Sequence, residues 1–122
     1  MDKYQAIHNF WSSFGLPAYE QYSVPDDAML PYITYAVSID DFDHPVFLTA
    51  SLWYHEDSGT WANVDAKEKQ ISDYIGRGGR NVSYDDGAFW ITKGSPWAQR
   101  MNDPSDEFIR RILLQYNIEF LD

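Results

Sequence analysis

Three stretches of this chain alternate apolar and polar side chains with a period of two, which puts a sheet at the centre of any fold it can adopt. In residues 32–40, Ile33, Tyr35, Val37 and Ile39 share one phase, with Thr34, Ala36 and Ser38 on the other. In residues 46–55, Val46, Leu48, Ala50, Leu52 and Tyr54 oppose Phe47, Thr49, Ser51, Trp53 and His55. Near the end, Ile112, Leu114, Tyr116, Ile118 and Phe120 all fall on even positions, although Leu113 and Leu121 break the pattern. Asp106 and Glu107 offer a competing helix cap over Phe108 to Leu114, but the sustained period of two favours a long final strand.

Two segments carry helical spacing instead. Residues 2–14 have Asp2 as an N-cap, a stripe of Tyr4, Ile7, Trp11 and Phe14, and Gly15 and Pro17 as stop signals. Residues 60–75 carry Trp61, Val64, Lys67, Glu68, Ile71, Tyr74 and Ile75 as one broad stripe edged by charge, with Gly76 as the stop. A short strand is expected near Ala18 to Tyr22. Residues 80–84 and 88–93 read as a hairpin around Asp85, Asp86 and Gly87, where Asp-Gly supplies the positive φ of a tight turn. Gly94 to Asp106 reads as a long irregular segment. The expected order is α-β-β-β-α-β-β-β. This is an α+β fold in which a mostly antiparallel or mixed sheet of about five to six strands carries two helices on it. With 122 residues, 44% of them hydrophobic, the chain is expected to form a single domain spanning 1–122.

Charge narrows the class of partner. The net charge is −10 and it is uneven. Residues 1–60 hold nine acids and one base, whereas residues 61–122 hold ten acids and eight bases. A field of this sign repels phosphates and anionic lipid. No apolar run approaches the roughly 20 residues that span a bilayer, and no basic-then-apolar leader is visible, so a soluble cytoplasmic protein is expected. There is no Cys, which removes disulfides, thiolate metal sites and Cys nucleophiles.

The chemical motifs are weak. Gly76-Arg77-Gly78-Gly79-Arg80 follows a helix, and a helix C-terminus has the wrong polarity for a phosphate. Asp40, Asp41, Asp43 and His44 resemble a cation loop, but a calcium loop starting at Asp41 puts Val46 where Gly is needed and Leu52 where Glu is needed. His8, His44 and His55 lack metal-ligand spacing and a Gly-x-Ser-x-Gly elbow. Asp85 and Asp86 are adjacent and point apart, which suits a turn better than a catalytic pair. The expectation is no catalytic residue, no cofactor and no metal.

The remaining signals concern contacts. Arg77, Arg80, Lys93, Arg100, Arg110 and Arg111 are candidates for a basic patch that meets the acidic half of a neighbouring subunit; ordinary surface charge accounts for them equally well. Trp97, behind Gly94-Ser95-Pro96, is either an interface anchor or part of a loop folded back on the core.

Several segments are similar to a known family. FWSSFGLPAYEQYSVPDDAMLPYITYAV (10–37), LTASLWYHEDSGTWA (48–62) and YDDGAFWITKGSPWAQRMNDPSDEFIRRILLQYNIEFL (84–121) resemble small phage and prophage proteins of Gram-positive siphophages. That family looks like the tail terminator, or tail-completion, group of head–tail joining proteins. The resemblance implies a mixed α/β domain that forms a ring, typically of six subunits, without catalytic activity. Such a ring caps the tail tube and presents the surface that meets the head connector. The implied partners are further copies of the chain, the tail tube protein and a head connector or completion protein, with DNA passing through unbound. The implied location is the host cytoplasm during assembly, then the virion tail or neck. An acidic lumen would repel DNA, which makes Asp26, Asp27, Asp40, Asp41 and Asp43 candidates for loops at the lumen or ring faces. A head-completion or connector protein, or a prophage-encoded regulatory binding module, fits the same composition.

Overall fold

The computed structural model describes residues 1–38, 46–56, 58–103 and 106–121. Among them the elements run α1 (Lys3–Ser12), β1 (Ala18–Glu20), β2 (Tyr32–Tyr35), β3 (Val46–His55), α2 (Ala62–Ile75), β4 (Arg80–Tyr84), β5 (Gly87–Met101) and β6 (Ile109–Phe120). The order is the one the residue pattern predicts. The strands form one sheet in the order β1-β2-β3-β6-β5-β4. The β1–β2 ladder is parallel, and the other four ladders are antiparallel.

The period of two decides which side chains go inside. Leu48, Ala50 and Leu52 of β3 pair across from Tyr116, Leu114 and Ile112 of β6, and all six are buried. Phe89 and Ile91 of β5 extend this surface across from Phe120 and Ile118. Both helices lie on this face. Helix α1 buries Ala6, Ile7, Phe10 and Trp11 and sets Trp11 5.1 Å, ring to ring, from Tyr116. Tyr4, expected in the buried stripe, is exposed, and Phe10 takes the inward position beside Ile7 and Trp11. Helix α2 buries Val64, Ile71 and Ile75, and the Lys67 ammonium donates to the Phe14 carbonyl (2.6 Å), tying the two helices together.

Local chemistry explains the helix ends. The Asp2 carboxylate accepts from the Gln5 N–H (2.9 Å), the capping bond expected of it. Trp61, at the α2 N-cap, makes no side-chain cap bond, and Thr60 Oγ1 accepts from the Ala62 N–H instead (3.1 Å). Gly76 ends α2 with φ 78° and donates its N–H to the Ser72 carbonyl (2.9 Å).

Three local expectations are corrected. The Asp85-Asp86 turn joins Tyr84 to Gly87, which are paired in the ladder, and neither aspartate nor Gly87 has a positive φ. Gly87 opens β5 instead of forming the turn. The segment expected to be irregular from Gly94 onwards is strand as far as Met101. A shift in register between Lys93 and Ala98 lets β5 stay paired with β6 on both sides of it. Gly94 sits at that shift, where a Cβ would come within 2.8 Å of the Gln115 carbonyl oxygen, so the strands approach this closely only without a side chain. Strand β2 ends at Tyr35, three residues short of the last described residue of the expected 32–40 strand, and residues 39–45 lie outside the described residues.

Candidate interaction surface

No helix among the described residues covers the second face of the sheet. It carries the odd positions of β3 and β6 and their partners, so aromatic and small polar side chains dominate it. Tyr32, Trp53, Phe47 and Trp90 stand among threonines, serines, asparagines and glutamines. On the strands of this face only Arg111 and Glu119 carry a permanent charge. In a chain of net charge −10, that is a strongly depleted patch. The fully covered centres of protein interfaces have this character: few charges, many aromatics, and hydrogen-bonding groups between them.

The face has relief. One notch of about 270 Å³ lies over β2, β3 and β6 and is lined by Tyr32, Thr34, Thr49, Ser51, Trp53 and Arg111, together with Gln21 and Val24 from the β1–β2 connection. Its floor is well ordered by hydrogen bonds. The Trp53 indole N–H donates to Thr34 Oγ1 (2.9 Å), and Arg111 Nε donates to Ser51 Oγ (3.1 Å). The guanidinium lies over the Trp53 ring at 4.5 Å, a cation–π contact between directly paired strand positions. A second notch, of about 340 Å³, lies between Trp90, Thr92, Asn117 and Glu119.

Apart from Arg111, the residues singled out from the sequence fall elsewhere. Arg77, Arg80 and Lys93 gather at the C-terminal end of α2. Arg80 stacks on Tyr74 (3.9 Å) and donates to the Tyr74 carbonyl (3.3 Å), Lys93 donates to Ser72 Oγ (2.9 Å), and Arg77 is exposed. Basic groups at this end complement the partial negative charge of the helix terminus. Arg100 lies at the other end of α2, bound to Asp65 (2.7 Å) and over the Trp61 ring (4.7 Å). Trp97 is half-buried and packs against the core, with its indole nitrogen buried and unpaired among the described residues. Asp26 and Asp27 are exposed in the β1–β2 connection, between Tyr22 (87% exposed) and Met29 (81%). Asp40, Asp41 and Asp43 lie outside the described residues. The residue pattern marks Arg111 only as a member of a basic patch and does not single out Trp53 or Tyr32. The further signal is an arginine at an outward position beside the run from Ile112 to Phe120, whose inward positions are all hydrophobic.

Among the described residues no three His, Asp or Glu side chains gather closely enough to hold a metal. His8 Nδ1 lies 2.9 Å from the Tyr35 hydroxyl, and His55 lies 3.7 Å from Asp106. Burial raises the Tyr116 hydroxyl well above the usual tyrosine range, deep in the core and away from both notches. Burial, then the neighbouring Asp65, raises the Glu68 carboxyl above the usual carboxylate range, against the pull of Lys93. An acid raised in the folded state penalises folding once the pH passes its unfolded value, and the penalty is complete above its folded value. Glu68→Gln is therefore expected to raise the urea midpoint at pH 7 and to leave it unchanged below about pH 4. Urea titrations of the two proteins at both pH values check this.

The class is thus an α+β fold with a six-stranded mixed sheet, helices on one face and an open, charge-poor second face. A chain from the virion of a native gene transfer agent particle has the same fold. It is 16% identical, the superposition covers 98% of this chain and 91% of that one, and the TM-score is 0.61. Neither a protein-family profile nor a curated protein sequence matches the chain. No helix among the described residues is long and apolar enough to cross a membrane.

Proposed function

We propose that this chain is a single-domain, non-enzymatic structural protein of a phage-like particle, and specifically the tail terminator of the head–tail joining region. The observation that carries the reading is a fold shared over nearly the whole chain with a chain of a gene transfer agent virion. The charge-poor aromatic sheet face supports it, because such a face suits burial against another protein.

Separate patches of unlike charge support assembly into a ring. Asp26 and Asp27 are exposed in the β1–β2 connection, and Arg77 and Arg80 flank β4, the strand at one edge of the sheet. Unlike patches on one subunit allow head-to-tail contacts, and repeated head-to-tail contacts close a ring. The ring, of six copies on this reading, caps the tail tube protein on one side and meets the head connector or completion protein on the other. Asp26 and Asp27, with Asp40, Asp41 and Asp43, face the lumen or the ring surfaces, where their charge keeps passing DNA from adhering. Trp97, Arg100, Arg77, Arg80 and Lys93 belong to the subunit or tube contacts. The chain assembles in the host cytoplasm and ends in the tail or neck of the particle.

Electron microscopy of tails made without this protein tests the role. The expected result is headless tubes of unregulated length. Tails of normal length would overturn the terminator assignment, and if normal tails accompany heads that lose DNA, the protein belongs to head completion.

A further inference from the structure

Arg111 differs from the other described arginines of the chain that are held by the fold. Arg100 has the Asp65 carboxylate, and Arg80 and Arg110 donate to backbone carbonyls. Arg111 is half-buried, spends its Nε on Ser51 and lays its plane on Trp53, yet no carboxylate meets it among the described residues. Its terminal nitrogens have no hydrogen-bond partner there. This is an unusual use of a cation in a chain with 19 acids. Half-burial costs an arginine part of its hydration, and a carboxylate normally compensates.

The surroundings specify what would complete it. The notch around Arg111 is lined by hydroxyl and amide groups from Gln21, Tyr32, Thr49 and Ser51, and by no acid. Gln21, Tyr32 and Thr49 have side-chain donors that make no other bond among the described residues. The guanidinium is already fixed in orientation by its ring contact and its Nε bond, so little freedom remains to be lost on binding. A fixed guanidinium fork with free terminal nitrogens matches the two oxygens of a carboxylate.

We infer that the notch around Arg111 is a carboxylate-binding site, filled by an aspartate or glutamate side chain of a neighbouring protein subunit laid on the open sheet face. The carboxylate chemistry follows from the notch alone. That it arrives on a protein subunit rests on the assembly reading, and on the shape of the site: the notch is a shallow recess in an open face. A free small acid would remain largely in solvent there, whereas a subunit covering the face would close the site and exclude water.

The test uses the purified chain, labelled with nitrogen-15, and follows the Trp53 indole N–H by NMR. The probes are N-acetyl-glutamate N-methylamide, its glutamine counterpart, and acetate. The glutamate probe is expected to shift the Trp53 signal saturably, and the glutamine probe to leave it in place. Arg111→Gln is expected to abolish the response, and Arg111→Lys to keep the preference for glutamate over glutamine with weaker binding. Equal responses to the glutamate and glutamine probes, or a glutamate response that survives Arg111→Gln, would overturn the site. Tighter binding of acetate than of the blocked glutamate would overturn the assignment to a protein side chain. If Arg111→Gln fails to fold, the two probes on the wild-type chain and on Arg111→Lys still decide. These results are independent of tail length, so the site and the terminator role can fail separately.

Discussion

Trp11→Ala is expected to destabilise the chain by about 3–5 kcal/mol, the range for removing a large aromatic from a packed core. Trp11 is fully buried at the centre of an aromatic cluster. Its ring centre lies 4.9 Å from Phe10, edge to face, 6.3 Å from Phe14 and 5.1 Å from Tyr116. Phe10 in turn touches Tyr74 of α2 and Phe89 of β5. One side chain therefore joins α1 to β6 directly, and to α2 and β5 through a single neighbour. Its removal leaves a cavity that rigid rings cannot fill, so the cost includes lost contact as well as lost burial. In a thermal melt the midpoint should fall by roughly 10–20 °C. Trp11→Phe retains a ring in the cluster and should cost less than half as much. An alanine variant that melts within about 2 °C of the wild type would mean that the cluster does not hold α1 to the sheet.

Much of this core is legible in the residues. From Ile112 to Phe120 the inner positions are all hydrophobic and the outer ones, Leu113 apart, are polar, a period of two that favours a strand buried on one side. The same logic holds for Leu48, Ala50 and Leu52. The readings that failed did so where a local signal lost to pairing. Asp86-Gly87 looks like a mirror-type turn, but the ladder takes Gly87 into β5 and leaves the turn to two aspartates. Gly94, Ser95 and Pro96 look like loop residues because they lack alternation. The register shift uses them as a bulge, and Gly94 permits the close approach to Gln115. The stripe of α1 departs from expectation at one residue: helical spacing alone fits Tyr4, which is exposed, and only docking against α2 and the sheet turns Phe10 inward beside Ile7, Trp11 and Phe14. The Arg111 notch was out of reach for another reason. It assembles Thr34, Ser51, Trp53 and Arg111 from three strands, and the pairing of Trp53 with Arg111 exists only once β3 and β6 are in register. The basic residues were visible one by one, but their grouping around the ends of α2 depends on where that helix lies.

Gly79→Ala should cost about 2–4 kcal/mol, while Gly78→Ala, one residue earlier, should be neutral or stabilising by up to about 1 kcal/mol. The two glycines are adjacent in the turn that leads α2 into β4, so composition does not separate them. Geometry does. Gly78 has no positive φ and open space where a Cβ would go. Alanine there only narrows the unfolded ensemble. Gly79 has φ 94°, a conformation that costs an L side chain roughly 1–2 kcal/mol by itself. A Cβ there would also meet Thr92 Cγ2 at 2.6 Å, the Ile91 carbonyl oxygen at 2.7 Å and Trp90 Nε1 at 2.9 Å. The threonine methyl and the indole have some room to turn. The Ile91 oxygen is backbone, opposite Arg80 in the β4–β5 ladder, and moves only if that pair opens. The strain therefore falls on the first residue pair of the edge strand and on Trp90, which lines the second notch of the open face. Urea unfolding of the two variants should give midpoints on opposite sides of the wild type, or Gly78→Ala level with it. The Trp90 indole signal should move in Gly79→Ala and stay in place in Gly78→Ala. Equal midpoints for the two variants would mean that β4 is not anchored against β5 at this glycine, and the edge that carries Arg80 would lose its fixed position.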